Sequence, residues 1–461
     1  MSMGLNRCDA RLAACVLLVL AAACSPAPQP TPEAPAEASA EARWIGTWAT
    51  GPVSLPVPDE EAAAQPGTPP RIAGQTLRQV VRTSIGGEGV RVLFSNQYGS
   101  EPLEIGAAHV ALRADGPAID AAAGRSLTFG GAPSATIERG ALLLSDPAEL
   151  AVPPLAELAI DLYLPGDTWA TDSAGTAHRT ALSTTYLSAA GDHAGEPELP
   201  VDETTLTWFY LARVDVSTRT APGAIVTLGD SITDGTASTP DTNSRWPDFL
   251  AARLVAEYGD AAPGVLNVGI GGNRVLSHNG GMETILRRGA PFGPDETPPD
   301  PNAFFGPSAL SRFDRDVLLQ AGVTHVVVLE SINDVGFAYD HAWPAVEDLI
   351  AGHTALVQRA HARGLRIYGG TLTPFEGAIT YSETGEAKRQ AFNEWMRTDS
   401  AYDAVIEFDL AIRDPDHPAR ILPAYDPGDA IHGNDDGYRV MAEAVDLALF
   451  DARMAAAAAT N

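Results

Sequence analysis

Two rhythms of apolar and polar positions divide the chain. From Trp44 to about Ser217, short runs alternate with period two between Gly, Pro, Asn and Asp: Thr76 to Ile85, Val90 to Ser95, Leu103 to Leu112, Leu158 to Leu164 and Thr205 to Val216. Alternation at this length sends successive side chains to opposite faces of a pleat, which predicts antiparallel strands of a sandwich or jelly roll. Val53 to Pro70 is rich in Pro and Ala and is predicted as a loop. No internal repeat period is visible, which argues against a solenoid or propeller.

The second rhythm begins after the junction Thr218-Arg219-Thr220-Ala221-Pro222-Gly223. Continuous apolar runs at Ala224 to Leu228, Val265 to Ile270, His325 to Leu329, Leu365 to Thr371 and Ala404 to Phe408 read as strands covered on both faces. Helical patterns lie between and after them: Trp246 to Tyr258, Ala342 to Arg363, Gly385 to Arg397 and Tyr438 to about Met454. This alternation predicts a three-layer parallel sheet whose strands end on one edge. Gly271 to Pro307 interrupts the rhythm with a Gly- and Pro-rich excursion containing His278, Phe292, Phe304 and Phe305. Loops of that length are functional or mobile, so it is either a lid or substrate wall or a surface insertion.

At 461 residues the chain exceeds one ordinary core, and two domains follow, 43–220 and 221–461. A formal charge of −29, with Lys388 the only lysine, excludes nucleic acid as a partner on electrostatic grounds. Residues 1–24 read as a leader: Arg7 and Arg11 precede the apolar run Leu12 to Ala23, which is closed by Ala21-Ala22-Ala23-Cys24. That ending resembles a bacterial lipobox. Cys24 would then carry lipid and tether an exported protein to a membrane, at the cell surface or in the periplasm. Leu20 lies one place earlier than the usual lipobox leucine, so plain cleavage and secretion stay open. Ser25 to Ala42, rich in Pro, Ala and Glu, is expected to be a disordered spacer. The cysteines are Cys8, Cys15 and Cys24, so the chain from Ser25 onward has no disulfide, cysteine nucleophile or thiolate metal site.

The chemistry-bearing motifs each follow a predicted strand, where open α/β sheets bind ligands. Gly229-Asp230-Ser231 could be a mere polar turn, or Ser231 could be a nucleophile. Asn267-Val268-Gly269-Ile270-Gly271-Gly272-Asn273 lets a backbone N–H approach a ligand. Glu330-Ser331-Ile332-Asn333-Asp334 offers a neutral amide donor at Asn333, or a helix cap. Asp429 and His432, three apart, can lie on one side of a turn and supply a base with its orienting carboxylate. His278, His325, His353, His361 and His417 lack metal-ligand spacing. Of these, His278 is the one candidate for substrate contact. Trp246, Phe304, Phe305 and Phe375 line an acyl pocket or belong to the core.

Taken in order, Gly229-Asp230-Ser231-Ile232, Asn267-x-Gly-x-x-Gly272, Asn333-Asp334 and Asp429-x-x-His432 resemble the SGNH (GDSL-type) hydrolase superfamily. Trp44-Ile45-Gly46-Thr47-Trp48, Leu77 to Arg82, Ser95 to Gly99, Asp241 to Trp246 and Gly306 to Leu310 resemble its two-domain esterases with an N-terminal β domain. The resemblance runs from about Arg43 to Ala455. It implies a flavodoxin-like α/β sheet preceded by a β-sandwich or jelly roll, and a serine esterase working through an acyl-enzyme without cofactor or metal. Ser231 would be the nucleophile, with Asp429 and His432 completing the triad. The Ser231 N–H, Gly272 N–H and Asn333 side chain would form the oxyanion hole. Two positions depart from the family pattern: Ile232 replaces leucine, and Ser331 stands where glycine is usual. The implied substrate is a short-acyl or acetyl ester, carbohydrate-linked in related enzymes, with an acylated polysaccharide as the partner. An aryl or lipid esterase, an acyltransferase and a non-catalytic carbohydrate-binding protein are the alternatives.

Overall fold

Ala224–Gly229 is buried at every position and lies inside a five-stranded parallel sheet. The computed structural model describes residues 41–55, 69–120, 122–169, 175–278, 305–336 and 344–451. Across the sheet the order is Gly264–Asn267, Ala224–Gly229, Val323–Leu329, Arg366–Gly370, Ala404–Ile406. In chain order that is 2-1-3-4-5, the flavodoxin-like arrangement, with its switch point between the first and third strands. Both faces are covered, which explains the unbroken apolar runs Ala224 to Leu228 and Val326 to Leu329.

Helix Trp246–Tyr258 has the predicted bounds, and the Asp248 carboxylate accepts the Arg245 N–H at its start. Helices Val346–His361 and Glu383–Asp399 begin and end within four residues of their predicted ranges, the second capped by the Ser382 hydroxyl accepting the Gly385 N–H. Three expectations are corrected. The strand predicted to Ile270 ends at Asn267, whose side chain accepts the Gly269 N–H and donates to Thr233 O. The strand predicted to Phe408 ends at Ile406, because Phe408–Ile412 is a short helix. The last helix runs Asp435–Glu443, started by the Asn434 cap and followed by the 3-10 turn Leu447–Phe450.

The N-terminal region is all β and antiparallel. Arg43–Ala49, Leu211–Thr218, Gly89–Ser95 and Leu142–Leu144 form one sheet. Val201–Thr205, Thr185–Ala190, Ala73–Arg82, Glu157–Asp167, Ala107–Leu112 and Arg125–Ser126 form another. Two predicted runs are broken. Gly106 divides Leu103–Ile105 from Ala107–Leu112, at a place where a Cβ would stand 2.6 Å from the Tyr163 ring. Tyr210, at φ 56°, separates Trp208–Phe209 from Leu211–Thr218. Within the second sheet the buried Arg78 guanidinium donates to both oxygens of Asp161, its register partner on the next strand. Two fully buried charges are tolerable there because each has its hydrogen bonds met.

A small third sheet, Trp208–Phe209, Gly175–His178 and Val53–Leu55, runs toward the parallel sheet. The β region and the parallel sheet share one core. The Gly46 N–H donates to Ala321 O, and the Val265 N–H donates to the Ser84 hydroxyl. At Gly46 a Cβ would meet Leu266 at 2.8 Å, so glycine is what allows this close approach. The predicted leader, Cys24 and the spacer to residue 40 lie outside the described residues, as does most of the 271–307 excursion.

Candidate active site

Ser231 opens a one-turn helix, Ser231–Asp234, directly after the first strand of the parallel sheet. The turn is tight: at Gly229 a Cβ would lie 2.2 Å from Thr233 Oγ1 and 2.4 Å from Leu329 O. Asp230 caps the helix by accepting the Ile232 N–H at 3.0 Å. Ser231 thereby stands at the switch-point edge, with only 7% of its surface exposed.

His432 arrives from a loop 201 residues later and places Nε2 2.7 Å from Ser231 Oγ. Its Nδ1 lies 2.7 Å from Asp429 Oδ2. The other oxygen of Asp429 accepts the Ile431 and His432 N–H groups, so the three-residue spacing folds as a turn around its own carboxylate. An ionised carboxylate can only accept, which assigns the proton to Nδ1 and leaves Nε2 to accept from the serine. Burial pushes the Asp429 carboxyl up, but the hydrogen bond and charge of His432 and the two backbone donors outweigh it and hold the group down to about 2.

Gly272 and Asn333 lie beyond the ends of the two strands that flank Ala224–Gly229. Gly272 has φ 73°, and a Cβ there would stand 2.4 Å from the Phe305 ring. Asn333 is buried in the short helix Ile332–Gly336, and its Nδ2 donates to Asn273 O at 2.9 Å. Asp334 accepts the Val275 N–H, while the Asn273 side chain donates to Phe305 O and Pro307 O. The loop from Gly272 to Leu276 is thus fastened to the Asn333 helix on one side and to residues 305–307 on the other.

Ser331, the departure from glycine, has φ 103°, a conformation that glycine adopts without cost. Its hydroxyl is hydrogen-bonded to His353 Nε2 at 3.0 Å, and His353 Nδ1 to the Tyr402 hydroxyl at 2.7 Å. Burial pushes His353 down to about 3, so this chain is neutral. These buried bonds compensate the strained backbone two residues before Asn333.

Beneath the site sit three buried carboxyls, Asp230, Glu330 and Asp334, all raised chiefly by desolvation. Among the described residues neither Glu330 oxygen has a side-chain hydrogen-bond partner, and the nearest cation, Arg312, is 3.8 Å away. Folding takes up a proton at a carboxyl whose pKa it raises, so stability from Glu330 declines as pH climbs from the ordinary carboxylate range. Glu330→Gln is therefore expected to melt above the wild type at about pH 8 and to converge with it at about pH 4. Circular-dichroism melting at both values measures this, and equal midpoints at the higher pH would refute it.

Other expectations fare differently. Trp246 and Phe375 are fully buried and pack on Phe408 and Tyr381, so they belong to the core and not to a pocket. His278 Nδ1 accepts the Ser308 N–H, a bond within the protein. Phe304 lies outside the described residues, whereas Phe305 borders a cavity of about 310 Å³ with Val53, His178, Thr180, Ile270 and Gly271. No group of three or more His, Cys, Asp or Glu arranged to hold a metal occurs among the described residues. Sequence reasoning overlooked His178, Thr180 and Asp234. Asp234 follows Ser231 by three places on one helix face, but no local pattern joins it to residues 178–180.

Residues 227–440 match the model of the GDSL-like Lipase/Acylhydrolase family, a span that includes Ser231, Gly272, Asn333, Asp429 and His432. No curated protein matches the chain. Among solved structures, a GDSL-like lipase from Bacteroides thetaiotaomicron VPI-5482 is similar at 16% identity over 50% of this chain and 88% of that one, with a TM-score of 0.33. The acetyl xylan esterase AlAXEase is 18% identical over 48% and 96%, with a TM-score of 0.34. A variant of the acetyl xylan esterase Axe2 from Geobacillus stearothermophilus is 19% identical over 49% and 93%, with a TM-score of 0.33.

Proposed function

The chain belongs to the SGNH (GDSL-type) hydrolase superfamily through residues 227–440, and from that premise we propose that it is a serine esterase whose nucleophile is Ser231. The observation that carries this reading is the continuous chain Ser231 Oγ, His432 Nε2, His432 Nδ1, Asp429 Oδ2, with both contacts at 2.7 Å.

Ser231 Oγ attacks the ester carbonyl carbon while its proton passes to His432 Nε2. Asp429 stabilises the imidazolium so formed. The carbonyl oxygen, now negative, takes hydrogen bonds from the Ser231 N–H, the Gly272 N–H and Asn333 Nδ2. An amide nitrogen carries two hydrogens; one is given to Asn273 O, leaving the second for the oxyanion. Collapse breaks the ester C–O bond, and His432 returns the proton to the departing alcohol. Water, deprotonated by the same histidine, then cleaves the acyl-serine and frees the acid.

For the substrate we take an acetyl or other short-acyl ester, with a carbohydrate alcohol included. The cavity of about 310 Å³ beside Gly271 supports this size class, with Val53, Ile270 and Phe305 offering apolar contact. Hydrolysis of p-nitrophenyl acetate, butyrate and longer esters, together with acetate release from acetylated xylan, tests the reading. Rates falling with acyl length are expected. Preference for long chains would favour a lipid esterase, and acyl transfer to an added alcohol in place of water an acyltransferase. Absence of turnover by folded protein would favour the binding protein.

We also propose that Cys24 is lipidated and anchors an exported protein, as the Arg7 to Cys24 pattern suggests. Cys24→Ser should shift the protein from the membrane to the soluble fraction; unchanged fractionation would refute the anchor.

A further inference from the structure

Asp234 closes the helix that Ser231 opens, and its carboxylate is a junction between three parts of the chain. Oδ1 lies 2.8 Å from His178 Nε2, and Oδ2 accepts both the Thr180 hydroxyl and, at 3.2 Å, the Gly271 N–H. His178 and Thr180 come from the β region, at the end of the strand Gly175–His178 and just beyond it. On its other side, His178 Nδ1 lies 3.0 Å from Gly51 O. A carbonyl and a carboxylate both only accept, so both ring nitrogens carry protons and His178 is a cation paired with Asp234. Both side chains of this pair are almost fully buried. The loop is held by shape as well: at Gly269 a Cβ would stand 2.3 Å from Asp234 N.

Gly271 immediately precedes Gly272, whose N–H the proposed mechanism uses on the oxyanion. Resting on that reading, we infer that His178 and Thr180 are positioning residues of the β region: through Asp234 they set the distance between Ser231 and the Gly272 N–H. Neither touches the reacting atoms. Their effect is on how well an oxyanion donor is aimed, which matters in the transition state more than in the bound ester. The β region is on this account a working part of the catalytic site.

Thr180 is exposed, so its hydroxyl can be removed without opening the core. Thr180→Val is expected to lower kcat about tenfold with KM unchanged, a loss on the scale of a small misplacement of a catalytic group. Thr180→Ser should restore the wild-type rate. A second measurement separates aim from stability: combined with Asn333→Ala, Thr180→Val should cost less than the product of the two single effects, because both act on one oxyanion site. Wild-type kcat in folded Thr180→Val, or strictly multiplicative effects, would overturn the inference while a dead Ser231→Ala left the nucleophile standing. An active Ser231→Ala would overturn the nucleophile, and this inference with it.

Discussion

Ser231→Ala is expected to lower kcat for p-nitrophenyl acetate by at least about 10⁴-fold, with KM changed little. The magnitude follows from the arrangement. The Ser231 hydroxyl is the one His432 Nε2 contacts, at 2.7 Å, so it is the oxygen that this base can activate. Alanine keeps the helix, the Asp230 cap and the donors intact, so ester binding persists while covalent chemistry stops. Because serine and histidine act as one unit, Ser231→Ala combined with His432→Ala should be no slower than either alone. Steady-state kinetics on the three variants measures this. Multiplicative losses would mean that the two residues act in separate steps, and a residual rate near wild type would remove Ser231 from the mechanism.

Asp429→Asn is expected to cost about 10⁴-fold at neutral pH, nearly as much, although it changes one atom. The carboxylate accepts from His432 Nδ1, the Ile431 N–H and the His432 N–H. An amide can present its NH₂ to Nδ1, which reverses the tautomer and puts a proton on Nε2, where the serine needs an acceptor. The pH dependence separates the two residues. Held down to about 2, Asp429 stays ionised at neutral and mildly acidic pH, so its own protonation should not shape the acid limb of wild-type activity. The same depression gives a stability consequence of defined sign. A carboxyl whose folded pKa lies below its ordinary value stabilises the fold above the ordinary value, and loses that contribution as pH falls through the folded one. Asp429 should therefore support the fold above about pH 4 and stop doing so by about pH 2, and only modestly, since its side chain is nearly half exposed and screened by water. Acid melting of Asp429→Asn against wild type measures that window.

Much of this molecule could be read before any coordinates. Burial on both faces leaves a signature in sequence, which is why Ala224–Gly229 and Val323–Leu329 were legible as parallel strands and their order as an α/β sheet. Trp246–Tyr258 was legible to the residue. Two of the less accurate boundaries share a cause, a side chain bonding to the backbone in competition with the regular pattern. Asn267 ends a strand early and Asn434 starts a helix early, neither of which apolar periodicity registers.

The candidate site divides along the same line. Ser231 with Asp230, and Asp429 with His432, are contacts within three residues, so local spacing carries them and the sequence by itself determined which residue types stand at each strand end. The tertiary structure alone decided the rest: that Ser331 tolerates φ 103° through His353 and Tyr402, that Glu330 lies buried beside Asp230 and Asp334, and that His178 and Thr180 reach Asp234 from more than fifty residues away. Each depends on burial and on contacts between distant segments. Those quantities set desolvation, charge state and aim, and they exist only once the chain has folded.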